Sequence, residues 1–94
     1  MQVQHHNHNR GGKFFVTVDG EERAQMTYVH SGPGLIIIDH TEVDDSLAGK
    51  GIGKQLVAAG VAWARKENMQ VIPLCPFAKA IFEKVPAYAD VLRK

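Results

Sequence analysis

One cysteine, Cys75, stands in the whole chain, so no internal disulfide can staple the fold. A lone thiol fits a reducing, cytoplasmic compartment. Long apolar runs are missing too: the longest, LIII at residues 35–38, falls far short of the roughly 20 residues that cross a bilayer. No excess of one charge is present. A net charge of +1 argues against a general nucleic-acid partner, which calls for a strongly basic face. The polar, His/Asn-rich N-terminus lacks the apolar region of a secretory signal peptide. His, Cys and acidic residues nowhere take a metal-binding spacing; His5, His6 and His8 have neither Cys partners nor an ordered scaffold around them. No repeat or linker interrupts the 94 residues. A single small domain is expected, near the length at which one core becomes marginal.

What is present is a set of short, well-punctuated elements. Residues 1–12 read as a flexible polar tail and residues 13–94 as the domain. Aromatic and β-branched residues at 13–18 predict a strand, Asp19-Gly20 a tight hairpin, and residues 23–29 its return, with Ala24, Met26 and Tyr28 on one face. A Gly/Pro turn follows, then a third strand over residues 35–43, apolar first and polar at Asp39-His40-Thr41-Glu42. Residues 52–68 carry helical periodicity through Ile52, Leu56, Ala59 and Trp63. Residues 71–75 form a fourth strand, and Pro76 opens a helix to about Lys84. Pro73 cannot donate to a ladder, which suits either a sheet edge or a place where pairing with the third strand fails and a slot opens. The sum is an α/β domain with a mixed four-stranded sheet, three antiparallel strands and then a parallel crossover, and two main helices.

Between the third strand and the long helix lies LAGKGIGKQL, residues 47–56, with three alternate glycines. Glycine lets backbone N–H groups approach a ligand, and the helix start adds free N–H groups and the positive end of its dipole. The arrangement is a phosphate cradle. A Walker A loop would need glycine at 48 and Ser or Thr at 55, where Ala48 and Gln55 stand. The dinucleotide pattern G-x-G-x-x-G would need glycine at 54 or 56, where Lys54 and Leu56 stand.

The loop resembles motif A of the GNAT acyltransferases, Arg/Gln-x-x-Gly-x-Gly/Ala, through Gly51 and Gly53; Ala48 stands at the Arg/Gln position. A second GNAT signature, Asn-x-x-Ala-x-x-x-Tyr followed by Lys, is echoed by Cys75, Ala78, Phe82 and Lys84, with Cys for Asn and Phe for Tyr. In its Asp39-His-Thr-Glu-Val43 strand end, Gly-x-Gly loop and Cys-x-Phe segment, the chain is similar to a family of minimal GNAT-like proteins of about a hundred residues. The resemblance implies binding of coenzyme A or acetyl-CoA, with acyl transfer as the expected reaction; the residues themselves offer no metal site. Pyrophosphate is expected over Gly49, Lys50, Gly51, Ile52, Gly53 and Lys54, and pantetheine along Glu42, Val43 and Asp44. The thioester would then lie near His40, Thr41 and Cys75, and Phe77 is a further candidate for cofactor binding.

Acyl transfer to an amine needs a base, a donor for the oxyanion and an acid for the leaving thiolate. The resemblance assigns the oxyanion donor to the Val43 N–H. His40 and Glu42, two apart on one strand, are the candidate bases. Phe82 has no proton to give, so Cys75 is the candidate acid, or else a nucleophile that takes the acetyl group first. At a helix N-cap a thiol pKa is lowered. Three functions stay open on these residues: an N-acetyltransferase acting on an amine of a small molecule or protein, a coenzyme A-binding module without turnover, and a small protein-interaction domain. The acceptor and the oligomeric state are not written in the sequence.

Overall fold

The sheet runs in chain order: β1 (Gln4–Asn7), β2 (Gly11–Val18), β3 (Glu21–His30), β4 (Leu35–Val43) and β5 (Gln70–Pro73). The first three pairings are antiparallel and β4 with β5 is parallel. The structure, a computed structural model, describes residues 2–93; Met1 of the expected tail and Lys94 of the expected domain lie outside the described residues. The expected count of four strands is corrected to five, and the added strand lies inside residues 1–12. Its composition, Gln-His-His-Asn, carries no strand signal. Tertiary contacts hold it instead. His5 stacks on Phe14 at 4.0 Å between centroids and meets Trp63 edge-on at 4.8 Å. Its Nε2 lies 2.6 Å from the Tyr28 hydroxyl, which donates to Asn7 Oδ1 at 2.8 Å. With the Tyr28 proton committed to Asn7, His5 Nε2 carries the hydrogen of the first bond.

Turn chemistry sets the remaining boundaries. Asp19 and Gly20, at φ 52° and 79°, make the β2–β3 hairpin, and positive φ at both central positions matches the strand twist. α1 (Ile52–Lys66) supplies the crossover to β5. It ends two residues before the expected Asn68 because Asn68 itself is left-handed, at φ 59°. The Met69 N–H then bonds Ala64 O at 2.8 Å and the Asn68 N–H bonds Arg65 O at 3.3 Å, closing the helix in a Schellman motif. α2 (Pro76–Lys84) follows β5.

The buried side chains form one cluster on one face of the sheet. Phe14, Met26, Tyr28, Ile36 and Ile38 meet Leu56, Val57 and Val61 of α1 there. Burying Leu56 alone stabilises by about 2 kcal/mol. The other face carries half-buried Phe15, Leu35, Ile37 and Ile72 outside that cluster. Among the described residues no helix is long and apolar enough to cross a membrane.

Candidate functional site

Pro73 stands on the outermost strand of the sheet, at the place where pairing with β4 ends. It is the last residue of β5, opposite Ile38, and the N–H groups of Leu74 and Cys75 both turn to Ile38 O, at 3.0 and 3.2 Å. β4 continues through Val43 without β5 beside it. On its far side β5 is met by the chain end, where Val71 N–H bonds Val91 O and Arg93 N–H bonds Val71 O.

A bulge decides what β4 presents to this gap. Tyr28 pairs with Ile38 and Thr27 with His40, leaving Asp39 as an extra residue. One inserted residue reverses the alternation beyond it. Ile36 and Ile38 face the core before the bulge; Thr41, opposite Met26, and Val43, opposite Ala24, face it afterwards. His40 and Glu42 turn to the other face, where His40 Nε2 donates to Glu42 Oε1 at 2.6 Å. Their side chains are more than half exposed, at 58% and 64%. The Thr27 hydroxyl donates to Asp39 Oδ1 at 2.6 Å and pins the bulge.

Asp44 N–H donates to Arg23 O at 2.8 Å. Antiparallel ladders alternate, so the N–H groups of Thr41 and Val43 point away from β3 into the gap. An open groove of about 580 Å³ runs past this end of β3 and β4, lined among others by Gln25, Thr41, Glu42, Val43 and Asp44. Asp44 accepts from Ser46 N–H at 3.0 Å and from the Ser46 hydroxyl, and these bonds hold its carboxyl below the usual range.

Cys75 is the N-cap of α2, with Pro76 as the first helical residue. Its sulfur lies 3.3 Å from Thr41 Oγ1 and is buried. Burial pushes the thiol pKa up. The Thr41 hydroxyl and the N–H groups of Ala78, Phe77 and Thr41 push it down and prevail, so the pKa lies below the ordinary value. The structure thus brings Cys75 to Thr41 and His40 to Glu42, and sets the two pairs on opposite faces of β4. Thr41 was not among the sequence candidates as a partner for the thiol. The only signal for its orientation is Asp39, a residue type disfavoured inside strands.

The glycine loop is anchored by buried Leu47 at the end of a single 3-10 turn (Asp45–Leu47). Gly49 and Gly51 have φ 78° and 70°, and a Cβ on either would meet nothing within 4 Å. Gly51 caps α1 without a side-chain bond. The N–H groups of Ile52, Gly53 and Lys54 therefore have no partner within the helix. Lys50 and Lys54 are exposed beside them, whereas the Ile52 side chain is buried, leaving only its backbone for a ligand. Gly53 is different: it lies under the ring of Phe77, itself 43% exposed. Among the described residues no group of three or more His, Cys, Asp or Glu is arranged to hold a metal ion.

The parallel β4–β5 pair, the glycine loop and the two helix starts set an α/β fold of the acyltransferase type. The family model described as GCN5-related N-acetyl-transferase matches residues 13–91. The chain belongs to the GCN5-related N-acetyltransferase family. It is 29% identical over 96 residues to Protein NATD1 of Gallus gallus, covering 99% of this chain and 86% of that one. The solution structure of a GCN5-like protein from Staphylococcus aureus superposes with a TM-score of 0.76 at 36% identity, covering 98% of this chain and 87% of that chain. AAC(6')-Iy, in complex with the bisubstrate analog CoA-S-monomethyl-acetylneamine, shares the fold at 15% identity and a TM-score of 0.56, over 93% of this chain and 65% of that one.

Proposed function

We propose that this protein transfers the acetyl group of acetyl-CoA to an amine of a small molecule or protein. The observation that carries the reading is the open loop at the start of α1. Two left-handed glycines border open space there, and the first N–H groups of α1 have no partner within the helix. Such a set of donors fits a pyrophosphate. Gly49 to Lys54 would hold it through the backbone, with Lys50 and Lys54 adding charge, and the edge of β4 at Glu42, Val43 and Asp44 would receive pantetheine. The AAC(6')-Iy complex, with its coenzyme A-derived bisubstrate analog, supports the reading by analogy of fold.

The chain's own groups then divide the chemistry. The Val43 N–H, free of a strand partner, donates to the carbonyl oxygen as negative charge builds on it. On the exposed face, the bonded His40–Glu42 pair takes the proton of the attacking amine. On the helical face, Cys75 gives its proton to the leaving thiolate, and a lowered thiol pKa eases that release. Separation of the two faces supports direct transfer over an acetyl-Cys75 intermediate, because an acetyl group on that sulfur would lie across β4 from the base. Phe82 stays in the core against Tyr88, with ring centroids 5.8 Å apart.

The test measures free thiol released from acetyl-CoA over a panel of amines and lysine-containing peptides. Cys75→Ala is expected to keep its affinity for acetyl-CoA and lose about 100-fold or more in turnover, the usual weight of a general acid. Undiminished turnover removes Cys75 from the chemistry. Tight binding without turnover on any amine supports a coenzyme A-binding module instead, the reading that the hydroxyl-free Phe82 favours.

A further inference from the structure

The three loop glycines do two different jobs. Gly49 and Gly51 are left-handed and border open space. Gly53 has ordinary helical φ, but a Cβ there would lie 2.3 Å from Cζ, 2.6 Å from Cε2 and 3.3 Å from Cε1 of Phe77. Real Cβ atoms do not come within 3.0 Å of a neighbour, so the far edge of the Phe77 ring holds the place. Gly53 is the second helical residue of α1, and Phe77 is the second of α2. The contact therefore joins the two helix N-termini at the same level. It also sits between the two halves of the site: Gly51 lies two residues before Gly53, and Cys75 two residues before Phe77.

We propose that Phe77 is a positioning residue whose ring, seated on the bare Cα of Gly53, fixes the N-terminus of α2 against that of α1 and so holds the Cys75 sulfur at Thr41. Gly53 is then glycine to admit a ring rather than to admit a phosphate. At 43% exposure Phe77 is not held by burial in the core, so this seat is what orders it. The link to the sulfur runs through two residues of backbone, from Phe77 to the N-cap Cys75, whose sulfur meets Thr41 Oγ1 at 3.3 Å. The N–H of Phe77 is one of the groups that favour the thiolate, together with those of Ala78 and Thr41 and the Thr41 hydroxyl. No charged side chain among the described residues contributes, since His40 and Glu42 face the other way and only burial and hydrogen bonds set the thiol. Where displacement of the ring carries the start of α2 with it, the Cys75 sulfur is drawn from its place 3.3 Å from Thr41 Oγ1.

The inference deepens the proposed role of Cys75, but its test needs no coenzyme A, so it can fail or stand apart from that reading. Thiolate absorbance in the ultraviolet is followed against pH in the full chain, with Cys75→Ser as the blank. Gly53→Ala and Phe77→Ala are each expected to move the titration midpoint upward. The double variant should move it no further than the larger single shift, because both changes break one contact. Phe77→Tyr keeps the ring and should keep the midpoint. Thermal melts run in parallel. Gly53→Ala or Phe77→Ala lowering stability with the midpoint unmoved would overturn the proposal, and so would additive shifts in the double variant.

Discussion

Placing valine at Gly51 separates a site effect from a backbone effect. Gly51 has φ 70°, and its missing Cβ points into open space. Left-handed backbone costs an ordinary residue about 1–2 kcal/mol, and a β-branched one sits at the upper end. For a domain of this length that corresponds to a Tm fall on the order of 5–15 °C. Gly32 is the matched control: φ 79°, nothing within 4 Å, in the turn between β3 and β4 and outside the glycine loop. Gly32→Val and Gly51→Val should therefore lose similar stability. Affinity should divide them. At Gly51 the valine either fills the space proposed for pyrophosphate or rotates the backbone and withdraws a donor, and one charge-assisted bond is worth about 1.5–3 kcal/mol. Calorimetric titration with acetyl-CoA and with ADP should show Gly51→Val weakened at least about tenfold in both. Gly32→Val should bind as the unmodified chain does. Equal affinities in the two variants, with equal loss of Tm, would refute the assignment of the loop as the phosphate cradle.

Tyr28→Phe removes both the acceptor for His5 and the donor to Asn7 while leaving the ring stack intact; a loss of about 1–2 kcal/mol in denaturant unfolding is expected. The His5 pKa is lowered, by burial first and by neighbouring His6 second. The unfolded chain thus takes its proton first as pH falls below about 6.5, and stability should decline from there through the lower folded pKa. Thermal melts taken from neutral into mildly acidic solution should show this slope, and His5→Gln should flatten it. Arg65 binds Asp90 through Nε and Nη2 and also donates to Ala87 O at 2.6 Å. Arg65→Ala should accelerate hydrogen exchange across residues 86–93 with little change in the core of α1.

Much of the fold was legible because local chemistry and tertiary environment agree. β4 and α2 have the expected limits, Leu35–Val43 and Pro76–Lys84, since apolar runs bounded by Gly-Pro-Gly and by two prolines leave little choice. The Asp19-Gly20 turn is likewise a local necessity. What escaped has no local signature. β1 is polar throughout and is held by an imidazole between Phe14 of the next strand and Trp63, far away in sequence. The bulge at Asp39 changes faces in the middle of a strand, so strict alternation keeps His40 and Glu42 together yet places both on the core side. In the structure that side belongs to Thr41 and Val43. The spacing of the glycines was visible, but the distinct reason for Gly53 depends on a ring 24 positions later, as the numbers 53 and 77 show.

The central claim is that acetyl-CoA lies on the glycine loop and along the open edge of β4. A chain of this size suits amide chemical-shift mapping on adding acetyl-CoA to the unmodified protein. The account predicts the largest shifts at Gly49 to Lys54, at Thr41 and Val43, and at Cys75, with β1 and the β2–β3 hairpin little changed. Absence of any shift at millimolar ligand, or shifts confined to residues outside the loop and β4, would contradict it.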